Sequence, residues 1–150
     1  ITIVSRVIDG KIEILQQVRK SHPSFGKVGV PGGVVLKGEL IESAATRKLK
    51  HETGLDATFK LLGNERRMMY KSGELFSDLI FPIVYADTYS GELIVDTDFG
   101  HNMWVPINQA IKNESSEFDS IRSIAVVLKA IKNGTIEKLP VFFNEEIQAC

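Results

Sequence analysis

A three-layer α/β/α sandwich is predicted, with a mixed sheet held between two amphipathic helices. Three features of the chain predict it. Residues 1–8 and 11–18 are rich in β-branched side chains and are separated by Asp9-Gly10, a strong two-residue hairpin signal. From about Leu40 the apolar residues Ile41, Ala44, Ala45 and Leu49 recur at helical spacing until Gly54 stops the helix. Phe118, Ile121, Ile124, Ala125, Val127, Leu128 and Ile131 form a second amphipathic helix that ends at Asn133-Gly134.

Bulk properties narrow the function classes. The 150 residues make one ordinary domain, 1–150, large enough to bury a core. A formal net charge of −1, with Lys and Arg scattered apart from Arg66-Arg67, provides no basic field for duplex nucleic acid. No nucleic-acid partner is expected. The longest apolar run is far too short to cross a membrane, so no membrane association is expected either. The single cysteine, Cys150, cannot form an internal disulfide, which fits a cytoplasmic location. Without an initiator Met, residues upstream of Ile1 are expected in the natural protein.

The elements follow in order. In the second strand Ile12, Ile14 and Val18 alternate with Lys11, Glu13 and Gln17, which predicts one wet face. Residues 19–25, RKSHPSF, read as a polar loop in which Arg19, Lys20 and His22 are candidates to meet phosphates, although plain solvation is the simpler reading. Residues 26–30 and 34–37 read as short strands flanking a Pro31-Gly32-Gly33 turn. Beyond the first helix, residues 57–67 are extended, with Gly63 a bulge or bend, and Met68-Met69-Tyr70 lead to a Ser72-Gly73 turn. Residues 75–86, LFSDLIFPIVYA, are the most apolar stretch and read as a buried central strand, bulged or at an edge where Pro82 lacks a donor. A turn at 89–92 and an acidic loop at 96–101 precede Met103-Trp104-Val105-Pro106, where Trp104 is expected to be buried. A short helix at 107–112 and a final strand at 136–143 complete the reading.

The first helix carries more than packing. At about 100° per residue, Glu42, Ser43, Thr46, Lys50 and Thr53 fall on one solvent side. Lys48, His51 and Glu52 fall instead on the side of Ile41, Ala44 and Ala45, where polar groups need a partner or a cleft.

The stretch from Pro31 to Leu55, PGGVVLKGELIESAATRKLKHETGL, resembles the Nudix box: Gly, five residues, Glu, seven residues, then Arg-Glu-aliphatic-any-Glu-Glu-any-Gly-aliphatic. Gly33, Glu39, Arg47, Leu49, Glu52, Gly54 and Leu55 fall in register, placing the box at 33–55. Gly29-Val30-Pro31-Gly32-Gly33 is similar to the family's Leu-Pro-Gly-Gly approach. The resemblance implies a MutT-like, Nudix-type α/β/α sandwich, its mixed sheet lying between the box helix and a C-terminal helix. The box is degenerate at two positions. Lys48 and His51 stand where the family has glutamates, so the charge of the triad they form with Glu52 falls from three negatives to about zero.

In that family, metal ions polarise a diphosphate and activate water, so the resemblance implies a hydrolase of a nucleoside diphosphate linked to another moiety. It assigns catalytic positions to Glu52, Arg47 and Glu39. Glu52 is the surviving metal ligand and water binder; Arg47 and Glu39 are an ion pair holding the loop against the helix. The carbonyl of Gly32 and a neutral His51 imidazole complete an implied metal set for Mg²⁺ or Mn²⁺, held weakly because the Lys48 ammonium repels a cation. Lys48 stands four residues before Glu52 and can pair with it. Alternatively Lys48 and His51 can meet a substrate phosphate directly, replacing the metal bridge by a fixed cation, and Arg19 is a further substrate-binding candidate. Tyr70 lies near the place where some family members carry a substrate-reading tyrosine, and Asp96 and Asp98 are either extra acidic ligands or turn formers. His22, His51 and His101 carry no motif of an acyl-transfer base.

Two readings stay open: a weak or atypical Nudix pyrophosphohydrolase, and a catalytically inactive nucleotide-binding Nudix module. The expected partner is a small nucleoside diphosphate derivative, and a homodimer is compatible with the sequence.

Overall fold

Asp9 and Gly10 both adopt positive φ, 50° and 72°, the backbone that a two-residue hairpin of matching twist requires. β1 (Thr2–Ile8) therefore returns as β2 (Lys11–Arg19), pairing Ser5 with Ile14 and Ile8 with Lys11. The computed structural model describes residues 1–22, 24–116 and 121–149. The remaining elements are β3 (Val28–Gly29), α1 (Ile41–Thr53), β4 (Lys60–Lys71), β5 (Glu74–Ala86), β6 (Gly100–Pro106), α2 (Ile107–Ser116), α3 (Arg122–Asn133) and β7 (Phe142–Ala149). Their strands form a mixed sheet in the order β3-β2-β1-β5-β4-β7, with β6 along β2; β1 with β5 and β4 with β7 are parallel.

Successive side chains on a strand point to opposite faces, and here both faces are covered. Ile3, Ile14 and Ile83 pack with Ala110, Ile124, Val127 and Leu128 of α2 and α3. Their neighbours Val4, Leu15 and Val84 pack with Ala45 and Leu49 of α1. That is the expected sandwich, with α1 on one side of the sheet and α3 on the other. α1 stops at Gly54, whose φ of 76° and N–H to the Lys50 carbonyl (2.9 Å) close the helix. α3 stops at Gly134, φ 64°. Phe118, read as part of this helix, lies outside the described residues.

Several local expectations are corrected. The expected wet face of β2 is wet only at its start: Lys11 is exposed and Glu13 half-buried, but Leu15 and Gln17 on that face are buried, Leu15 under α1. Residues 34–37 are not a strand but an exposed loop. Thr53 is buried rather than on the solvent side, its hydroxyl donating to the Leu49 carbonyl at 2.7 Å.

The apolar stretch at 75–86 is central in the sheet but buried only near its end. Ile83, Val84 and Ala86 are covered, while Leu75, Phe76, Leu79 and Ile80 are exposed on a hairpin that reaches past the helices. Pro82 is tolerated because its carbonyl accepts from the Ile1 amino group (3.0 Å). Its nitrogen faces that same side, where β1 pairing starts only with Thr2 opposite Val84. The bulge falls instead in β4, between Leu61 and Gly63, as Gly63 predicts. The final strand begins at Phe142, after a 3₁₀ turn at Ile136–Lys138. Trp104 is half-buried, with the Arg6 guanidinium 4.4 Å above its ring and Tyr89 stacked at 5.1 Å. No helix among the described residues is long and apolar enough to cross a membrane.

Candidate functional site

The glycine loop enters the site from β3. Thr2, at the start of β1, fixes it, its N–H (3.0 Å) and hydroxyl (2.6 Å) both donating to the Pro31 carbonyl. The loop then runs past Gly33 to Glu39, which ties it to α1. Arg47 Nε and Nη2 donate to the two Glu39 oxygens at 2.7 and 2.9 Å, and a second Nη2 bond reaches the Val34 carbonyl. Glu39 also accepts the Leu36 N–H at 2.9 Å. The Arg47 guanidinium, with that N–H, holds the Glu39 carboxyl down to about 2. Glu39 and Arg47 thus stand where the box pattern puts them, as an ion pair.

Lys48 and Glu52 are one turn apart on α1, and Lys48 Nζ lies 2.8 Å from Glu52 Oε1. The side chains are only 20% and 8% exposed, so solvent screens this pair much less than one on the surface. The Lys48 stem lies over Gly33, where a Cβ would overlap its Cγ, Cδ and Cε. Phe99, from the loop before β6, places its ring 5.2 Å from Lys48 Nζ and 4.7 Å from the His51 ring. His51 is exposed and turned onto Phe99, whereas Glu52 is buried. The expected sharing of one inward side by Lys48, His51 and Glu52 therefore holds for two of them only.

Asn102 was not singled out by sequence reasoning. Its amide donates to the carbonyls of Glu52 (2.9 Å) and Ile94 (2.8 Å) and accepts from Gln17 Nε2 (2.9 Å). It pins the end of α1 against β6. A lone Asn in a strand-like run carries no periodic signal that would single it out.

A cleft of about 350 Å³ opens at the glycine loop, lined among others by Arg19, Lys27, Gly32, Gly33, Phe81 and Glu114, and Lys48 reaches it only through Gly33. Buried Glu114 accepts from Gln16 Nε2 at 3.0 Å, and Gln16 Oε1 accepts from Asn113 at 2.7 Å. Arg19 and Gly32 thus sit at the cleft, with Lys48 directly behind Gly33. Tyr70 does not line it. It lies on the distal hairpin, paired with Leu75 and Gln148, two residues from the Ser72-Gly73 turn. Asp96 pairs with His101 (3.0 Å) and Lys20, and the His101 contact lowers its carboxyl first of all.

The donor set suits a divalent cation poorly. Among the described residues no group of three His, Cys, Asp or Glu side chains is gathered. Glu52 is already paired with the Lys48 ammonium, which would repel a divalent ion seated on the same carboxylate.

Glycine loop, clamped box helix and mixed sheet between helices together define the Nudix class of α/β/α proteins. The chain belongs to the Nudix family: the NUDIX domain profile matches residues 2–125. Over 59 residues it is 44% identical to an ADP-ribose pyrophosphatase of Methanocaldococcus jannaschii, a match covering 37% of this chain and 35% of that protein. The matched segment thus spans about a third of the curated relative's length.

The backbone is similar to a MutT protein of Bacillus halodurans, with TM-score 0.73 and 17% identity over 97% of this chain and 87% of that one. It is also similar to the Nudix domain of Shewanella oneidensis NrtR complexed with ADP ribose, with TM-score 0.68 and 17% identity over 89% and 85%. A C. elegans Ap4A hydrolase matches with TM-score 0.60 and 19% identity over 89% and 93%. At these identities the structural likenesses establish the fold.

Proposed function

We propose that residues 1–150 act as one Nudix domain that binds a nucleoside diphosphate linked to a second moiety. The observation that carries this reading is the cleft of about 350 Å³ beside the glycine loop, with cationic Arg19 and Lys27 among its lining. That volume is in the range of small-molecule sites, and a cationic lining suits a ligand with phosphates. Arg19 and Lys48 are assigned to the phosphates, while Glu39 and Arg47 hold the loop that forms one wall. The NrtR Nudix domain, similar in fold, was crystallised with ADP ribose, which supports this ligand class.

Hydrolysis of the ligand's phosphoanhydride is the second reading. It is favoured by the segment 44% identical to an ADP-ribose pyrophosphatase, and it gives Glu52 the role of holding the attacking water. The pairing of Glu52 with Lys48 weighs against fast turnover.

Calorimetric titration with ADP-ribose, ADP and a dinucleoside polyphosphate tests binding, and product analysis with Mg²⁺, Mn²⁺ and no metal tests cleavage. Micromolar binding without product supports the binding module. Turnover abolished by Glu52→Gln selects the hydrolase, and the lack of any binding or product removes both.

A further inference from the structure

We propose that Lys48 is a tethered cation standing in for a divalent ion, so that this cleft binds the diphosphate of its ligand without metal. The inference rests on the nucleotide-binding reading above and adds how the phosphates are neutralised.

Four observations meet at one nitrogen. Lys48 Nζ is 2.8 Å from Glu52 Oε1, with both side chains largely out of water. A cation that sought Glu52 would have to displace this ammonium and then stand beside it, against like charge. The Lys48 stem is laid over Gly33, and only a residue without a Cβ leaves it that space. Gly33 lines both the crevice that holds the Lys48 stem and the main cleft, so Lys48 and the cleft share this residue as a wall. The Phe99 ring presents its face to the nitrogen at 5.2 Å, a cation–π contact.

An ammonium has three N–H donors, and beyond its ion pair with Glu52 and its ring contact with Phe99 Lys48 meets no other polar partner among the described residues. Donors therefore remain for phosphate oxygens. Glu52 acts as a positioning residue: it holds the ammonium in place, and its own end of the helix is held by the Asn102 amide. A fixed cation of this kind is present before the ligand arrives and needs no coordination shell to be rebuilt.

The test uses the full chain, with ADP and inorganic pyrophosphate as phosphate probes and Mn²⁺ as the metal probe. Wild type is expected to bind ADP in excess EDTA, with millimolar MgCl2 changing the affinity by less than about threefold. It is also expected to show no Mn²⁺ uptake by electron paramagnetic resonance at submillimolar metal. Lys48→Met alone strands the buried Glu52 carboxylate and can unfold the chain. The double variant Lys48→Met/Glu52→Gln removes both charges, should melt near wild type and should lose ADP affinity by about tenfold or more. Lys48→Glu restores an acid at this position and should gain Mn²⁺ uptake.

ADP binding that appears only with added metal, Mn²⁺ uptake by wild type, or a double variant that binds ADP like wild type would each overturn the inference while leaving the nucleotide-binding reading intact. If neither ADP nor pyrophosphate binds under any condition, the nucleotide-binding reading fails and the inference falls with it.

Discussion

Glu39 and Arg47, eight residues apart, meet at two points, Nε to Oε1 at 2.7 Å and Nη2 to Oε2 at 2.9 Å. This fork joins the end of the glycine loop to the outer side of α1, and a third bond from Arg47 to the Val34 carbonyl holds the loop's middle. Val34, Val35, Leu36 and Gly38 in this loop are exposed, so these bonds rather than burial order it.

A pH dependence follows from this pair. The Glu39 carboxyl is lowered from 4.5 to about 2, so its contribution is present above 4.5 and is lost as the pH falls towards 2. Protection of residues 33–40 against hydrogen exchange, taken relative to the intrinsic rate at each pH, should fall across that window in wild type. In Glu39→Gln it should already be low at neutral pH and change little on acidification.

Gly33→Ala places a Cβ inside the Lys48 stem. The lysine has to move off the loop, at a cost in stability of about 1–3 kcal/mol typical of overpacking. ADP affinity should fall with it, and isothermal titration against the melting temperature separates the two effects.

Asn102→Ala removes the donor to the Glu52 and Ile94 carbonyls and leaves Gln17 without its acceptor, all in a buried position. A loss of about 2–3 kcal/mol is expected by urea unfolding. Nucleotide affinity should drop as well, because the end of α1 that carries Glu52 is no longer pinned.

Arg67→Met tests the charge network under α3. Arg67 lies between the fully buried Glu65 (3.4 Å) and Glu145 (2.9 Å), while Glu65 accepts the Ser123 N–H at 3.0 Å at the start of the helix. Removing the guanidinium leaves Glu65 with no cation, which should destabilise the fold by about 3–5 kcal/mol in denaturant titration. Ligand affinity per folded molecule should stay unchanged, since Arg67 does not line the cleft.

The elements with strong periodicity or turn chemistry were legible in advance. Asp9-Gly10, the Ile41–Thr53 helix with its Gly54 stop, Gly63 as a bulge and the Asn133-Gly134 helix end all follow from backbone preferences local to a few residues. The candidate site was legible where it depends on fixed spacing, as in the Glu39–Arg47 clamp and the Lys48–Glu52 turn. It was not legible at Asn102, Phe99 and Glu114, whose partners lie 50 or more residues away or across the sheet.

From its order of residues alone this chain determines its layers, its box and the charge change at Lys48 and His51, because periodicity and spacing act within a single element. Only the tertiary structure decides what covers each element. The polar side of β2 is dry at Leu15 and Gln17 because α1 covers it there, the apolar strand at 75–86 is half wet because its hairpin outruns the helices, and His51 is turned out onto Phe99 while Glu52 is turned in. Alternation along a strand states which residues share a face, but burial of that face is set by distant segments whose approach no local pattern encodes.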